Sequence, residues 1–283
     1  MKITKLFAAL AVLALAGCAA TAPTLSPTAK SELAPQGRVR VAILPTNPLY
    51  VTPGTEKGEM QGLAPDIARA LAKQLGAEMV PVPYPSAMNL LDAAKRNEWD
   101  VAFIGYAAER RADMEFTPVI VNGENSYLVR NDSPLRSVAD IDRAGVRIAV
   151  SDRTVQHNFL RQNVRSATLV STAHNAASLQ LLVSGSVDAV AGNRMAVTES
   201  GHATPGTRVL DGSFMHVPYA LATRKGNAAG TAYATEFVQY LKESGMLDDS
   251  LKRANLSGVT VARDYAPSGT ANVPPPSTPA RRY

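Results

Sequence analysis

The chain has 283 residues, 46% of them hydrophobic and 19% charged, with a formal net charge of +5 and a single cysteine. This is the composition of a globular chain long enough for one large domain or two lobes, and one cysteine excludes an intramolecular disulfide. The basic residues are scattered, with no run of five and no interleaved aromatics, which argues against a nucleic-acid partner.

At the N-terminus Lys2 and Lys5 precede an apolar run over 6–16 that ends in Leu15-Ala16-Gly17-Cys18. A membrane-spanning helix needs roughly 20 apolar residues, so this shorter run behind a positive flank reads as a signal peptide, residues 1–17. Its removal takes Lys2 and Lys5 and leaves a net charge of +3, a mild preference for anionic ligands. Cys18 directly after a small-residue pair resembles the lipobox of bacterial lipoproteins, and that resemblance makes Cys18 the lipid attachment residue. It implies a protein anchored by lipid on the periplasmic side of the cell envelope. Ala19 stands where inner-membrane lipoproteins often carry aspartate, which points to the outer membrane in a Gram-negative cell. Residues 18–37, rich in Ala, Pro, Ser and Thr without a period, read as a flexible tether.

The body opens with a strand over 39–44. Leu63, Ile67, Leu71 and Leu75 then recur every four residues between Pro65 and Gly76, the start and stop signals of an amphipathic helix. A strand over 79–82, a helix capped by Ser86 and a strand over 101–104 complete a β-α-β-α-β unit, which predicts a parallel sheet with right-handed crossovers. The rhythm restarts with strands at 146–150, 168–170 and 189–192 alternating with helices at 154–162 and 175–183. Two further strand patterns, 126–130 and 219–223, stand between and after the units and read as crossings between lobes. Helices over 230–243 and 248–254 return to the first lobe, and residues 263–283, with Pro274-Pro275-Pro276, read as a disordered tail. The expected division is lobe 1 at 38–126 plus 220–262 and lobe 2 at 127–219.

Several stretches of this body resemble the family 3 extracellular solute-binding proteins: Gly62-Leu63-Ala64-Pro65-Asp66-Ile67-Ala68, Asn97-Glu98-Trp99-Asp100, Glu109-Arg110 ahead of Phe116-Thr117-Pro118, Ser137-Val138-Ala139-Asp140, Gly185-Ser186-Val187-Asp188-Ala189-Val190 and Arg224-Lys225-Gly226-Asn227. The resemblance implies an α/β, two-lobed type II periplasmic-binding fold, each lobe a mostly parallel sheet flanked by helices, the lobes joined by two hinge strands. It implies a monomeric, non-enzymatic receptor without a cofactor, delivering a small carboxylate-bearing solute to the permease of an ABC importer. Two alternatives stay open: a periplasmic enzyme on the same fold, similar to cyclohexadienyl dehydratase, with Glu109, Asp152 or Glu124 as the acid, and a sensory or assembly module.

Arg110 follows the third strand, where ligands of open parallel sheets collect, and matches the family arginine that grips the ligand carboxylate; a guanidinium fork suits two carboxylate oxygens. Thr154, at a helix start, matches the family Ser or Thr beside that carboxylate, with an ordinary N-cap as its other role. Arg153 before it replaces the usual glycine. Asn193 stands where amino-acid binders carry aspartate for the ligand ammonium, and Ala107 replaces a threonine. The ligand is then either a carboxylate without a free amine, or one whose amine meets another acid such as Asp152 or Glu124. Tyr50 and Tyr84 fall on loops where the family places aromatic rings, and Gly105 and Tyr106 lie on the loop leading to Arg110. His157, His174, His202 and His216 lack paired ligand spacing and read as surface or loop residues, so no metal is expected.

Overall fold

The computed structural model describes residues 21–45, 60–256 and 258–263. Cys18, Tyr50, the signal peptide and the tail beyond 263 lie outside them.

The first element is a helix, α1 (Pro27–Leu33), where a tether was expected. Ser26 caps it by accepting from the Ala29 N–H, and Pro27 occupies the first helical position, where its missing N–H costs nothing. β1 (Arg38–Ile43), α2 (Leu63–Leu75), β2 (Glu78–Pro83), α3 (Ala87–Lys95) and β3 (Val101–Gly105) follow in the expected order. All four leucine and isoleucine positions of the α2 stripe are fully buried. β4 (Met114–Phe116) leads into β5 (Val121–Arg130), the first of two ten-residue strands. The second unit comprises β6 (Arg147–Ser151), α4 (Val155–Asn163), β7 (Thr168–Thr172), α5 (Asn175–Val183), β8 (Ala189–Asn193), α6 (Arg194–Ala203) and β9 (Thr207–Val209). β10 (Met215–Arg224), α7 (Ala228–Glu243), α8 (Met246–Arg253) and β11 (Val259–Val261) close the chain.

The strands run in the order β2-β1-β3-β10-β5-β8-β6-β7, with β1 parallel to β2 and β3, and β6 parallel to β7 and β8. β10 runs antiparallel to β3 through 219–223, and β5 runs antiparallel to β8 through 125–129. Between those stretches the two long strands pair with each other, 121–125 against 215–219. That pairing is the crossing between lobes, so the first crossing falls at 121–125 rather than the expected 126–130, and the second at 215–219 rather than 219–223. One apolar cluster, containing Trp99, Phe237 and the α2 stripe, fills the first lobe; two smaller ones cover the two faces of the second lobe's strands. The fold is the expected α/β arrangement.

Each lobe fastens its first strand to the approach of its third with the same device. Asp100 accepts from the Arg40 backbone N–H and guanidinium at 2.8–3.0 Å, and Asp188 does likewise with Arg147 at 2.9–3.0 Å. α1 docks on α7: Leu33 is fully buried, and the Glu32 carboxylate accepts from the Gly230 N–H at 2.6 Å.

Candidate functional site

The C-terminal ends of β1, β3, β6 and β8 converge on a cavity of about 70 Å³ between the lobes, where open α/β sheets place ligands. The first lobe lends it Leu44, Ala87, Ile104, Gly105 and Arg110. The second lends Ser151, Thr154, Gln156, Asn175 and Asn193, and the crossing strand β10 lends Val217 and Tyr219.

Arg110 sits in a short 3₁₀ turn, Ala108–Ala112, directly after β3 and is buried. Its Nη1 donates to the Gly105 carbonyl at 2.6 Å, and its Nη2 crosses the cleft to the Arg153 carbonyl at 3.1 Å. Space at Gly105 is tight: a Cβ there would meet Val217 Cγ1 at 3.0 Å and Val155 Cγ2 of the other lobe at 3.2 Å. Thr154 is the N-cap of α4; its hydroxyl accepts from the His157 N–H at 3.1 Å and donates to the Ser151 carbonyl at 2.8 Å. Asn193 is buried at the end of β8 and caps α6, its Oδ1 accepting from the Met195 N–H at 3.0 Å. Its Nδ2 lies 3.4 Å from the Tyr219 hydroxyl, whose pKa burial pushes up to about 12. Arg110, Thr154, Asn193 and Gly105 all line this one cavity.

Two expected aromatic contacts lie elsewhere. Tyr84 stays beside β1, its N–H donating to the Ile43 carbonyl at 2.8 Å, and its ring joins the first-lobe core; burial and the Glu98 carboxylate raise its pKa. Tyr106 packs edge-on against Phe116, ring centroids 5.2 Å apart, and does not line the cavity. His157, expected at the surface, is buried in the first turn of α4, its Nδ1 3.2 Å from Asp152 and its Nε2 2.9 Å from the Ser171 hydroxyl. The sequence reading missed Ser151, Gln156, Asn175 and Tyr219. The first three stand at or just after strand ends where a helix begins, so counting outward from each expected cap would have found them.

Arg153 ties the lobes. Its φ of 54° is a left-handed conformation that costs a non-glycine residue about 1 kcal/mol or more. There it turns its carbonyl to Arg110 and its guanidinium to Asp92 of α3, at 3.0 and 3.2 Å. Asn158 adds a bond of 2.6 Å to Glu109. Among the described residues no group of three or more His, Cys, Asp or Glu could hold a metal.

Residues 39–254 match the model of the bacterial extracellular solute-binding proteins, family 3. The chain belongs to that family. This family 3 chain is 24% identical to the glutamine-binding protein of Geobacillus stearothermophilus, across 78% of its own length and 90% of the relative's. It is 29% identical to the cyclohexadienyl dehydratase of Pseudomonas aeruginosa, over 47% of its length and 51% of that enzyme's. Among solved structures it resembles the amino acid ABC transporter substrate-binding protein AbpA of Streptococcus pneumoniae bound to L-arginine, with a TM-score of 0.69 and 24% identity over 78% of this chain and 96% of that one. That likeness shows the type II periplasmic-binding fold.

Proposed function

We propose that this family 3 protein is the lipid-anchored receptor of an ABC importer, capturing a small carboxylate-bearing solute, an amino acid or related organic acid, between its lobes. The observation that carries the reading is Arg110: a buried cation at the end of a first-lobe strand, lining the cavity and bonded across it to the N-terminal end of a second-lobe helix. A carboxylate on that guanidinium would also meet the helix start at Thr154, where backbone donors favour an anion. A ligand touching both lobes stabilises the closed form, and rotation about the paired stretches of β5 and β10 supplies the opening. Cys18 carries the lipid, on the periplasmic face of the envelope, and the permease is the partner.

The partial likeness to a dehydratase supports a second reading, catalysis in the same cleft. Against it, Glu109 bonds to Asn158, Glu124 to Arg194 at 2.6 Å, and Asp152 stands beside His157; none of the three lines the cavity. The test is a thermal-shift titration with amino acids, oxo acids and dicarboxylates, alongside turnover assays on prephenate and arogenate. A dose-dependent stabilisation lost in Arg110→Ala is the expected result; turnover would replace the receptor by an enzyme.

A further inference from the structure

Beyond the receptor reading and independently of it, we propose that Ser171 is an activated nucleophile: with His157 as general base and Asp152 orienting the ring, it hydrolyses small activated esters at the outer edge of the second lobe.

The three residues come from adjoining pieces of that lobe. Asp152 lies in the turn from β6 into α4, His157 in the first turn of α4, and Ser171 near the end of β7. The Ser171 hydroxyl is 2.9 Å from His157 Nε2, and Asp152 Oδ1 is 3.2 Å from Nδ1 on the other side of the ring. The same carboxylate oxygen accepts from the Arg153 N–H at 2.9 Å, which fixes its position. With the serine donating to Nε2, the proton of a neutral imidazole sits on Nδ1, the atom that faces the carboxylate. That N–H points off the line to Asp152 and has no hydrogen-bond partner among the described residues. Asp152 therefore acts on it by charge, and the contact tightens when the ring takes a second proton.

Burial and exposure are divided as the chemistry requires. The imidazole is buried and the serine is exposed, so the base is shielded from water while the nucleophile stays open to a substrate. Burial pushes the imidazole pKa below its ordinary value; Asp152 opposes, Arg161 of the same helix adds to the fall, and β7 faces the ring with the uncharged Ser171. The ring is then neutral at pH 7 and able to accept a proton.

A backbone donor stands beside the nucleophile. The Asp152 N–H donates to the Thr172 carbonyl and the Thr168 N–H to the Val146 carbonyl, both at 2.8 Å, so Thr168 and Thr172 turn their backbone groups toward β6. Alternation along a strand turns the Ser171 N–H to the opposite side. β7 ends the sheet, and among the described residues no strand lies beyond it. That N–H can stabilise the oxyanion on an acyl carbon held by Ser171 Oγ. One such donor on an open strand edge suits a small ester with a good leaving group.

In the reaction Ser171 Oγ bonds to the acyl carbon as its proton passes to Nε2. The bond from that carbon to the leaving oxygen breaks, and the departing alcohol takes the proton. Water repeats the sequence on the acyl-serine, releasing the carboxylic acid and restoring the hydroxyl.

The test is hydrolysis of p-nitrophenyl acetate by the purified full chain in detergent, with mass-spectrometric mapping of a fluorophosphonate label. Ser171→Ala, at an exposed position, and His157→Gln are each expected to lower the rate by about a hundredfold, the lower end of what a positioned general base contributes. The label is expected on Ser171 alone. Asp152→Asn is expected to move the midpoint of the pH–rate profile downward, since that carboxylate raises the imidazole pKa; an unmoved midpoint would remove Asp152 from the site. A rate unchanged in Ser171→Ala, or a label on another residue, would overturn the proposal and leave the receptor reading untouched.

Discussion

Arg110 and Arg153 meet across the cleft, the guanidinium of one donating to the backbone carbonyl of the other at 3.1 Å. On the proposed reading, ligand recognition and lobe closure share a residue. Arg110→Met, which keeps the bulk and removes the charge, is expected to weaken ligand binding by at least about a hundredfold, from two charge-assisted bonds of roughly 1.5–3 kcal/mol each. Titration calorimetry on a variant with a normal melting profile checks this, and an affinity within threefold of the parent would contradict it.

Arg153→Gly separates closure from stability. Glycine relaxes the backbone at φ 54°, while the lost Asp92 pair is solvent-exposed and contributes only about 0–1 kcal/mol. Folding stability is expected to stay within about 1 kcal/mol of the parent, while ligand dissociation accelerates severalfold because the closed form loses an interlobe contact. Asp92→Asn should give the same dissociation rate, and the double variant no more than either single one, as measured by stopped-flow fluorescence.

Gly230 tests the N-terminal helix. A Cβ at that position would lie 2.9 Å from Leu33 Cγ and 3.2 Å from the Glu32 carboxylate. Gly230→Ala is expected to destabilise the fold by about 1–3 kcal/mol through overpacking, despite alanine's better helix propensity. A urea melt that shifts upward instead would show that α1 does not hold this position in solution.

Burial pushes the His157 pKa below its ordinary value, with the neighbouring Asp152 opposing. The unfolded imidazole takes its proton near pH 6.5, so the unfolded state binds more protons than the folded one below that point. This stabilisation is complete above about pH 6.5 and is lost as pH falls toward the lower folded value. Thermal melts should therefore show His157→Gln with a flatter dependence between about pH 7 and 5 than the parent. Asp188, held low by Arg147, acts in a separate and more acid window, below about pH 4.

Much of the α/β order was legible in the sequence because it rests on periodicity. The α2 stripe and the fully buried β3 are patterns any core-facing element must carry. Arg110, Thr154 and Asn193 were singled out because they match positions of the family 3 pattern, and Arg110 also follows a strand end, where ligands of open sheets collect. α1 escaped because its Pro, Ser and Ala were read for composition, although Ser26 followed by Pro27 is a helix start. α6 escaped because its polar run shows little amphipathy, and its cap, Asn193, was read only as a ligand contact. Tyr84 and His157 could not be placed by pattern. Ring direction at a strand end and burial in a helix's first turn depend on neighbours distant in the chain.

The docking of α1 on α7 also sets a leash. On the proposal that Cys18 carries the lipid, and with Ser26 fixed as a helix cap, only eight peptide steps would separate membrane from fold, a reach of at most about 30 Å. Such an anchor would keep the first lobe close to the bilayer and leave lobe 2 as the part that swings. A transporter would receive its cargo from a receptor that pivots in place rather than one that wanders the periplasm.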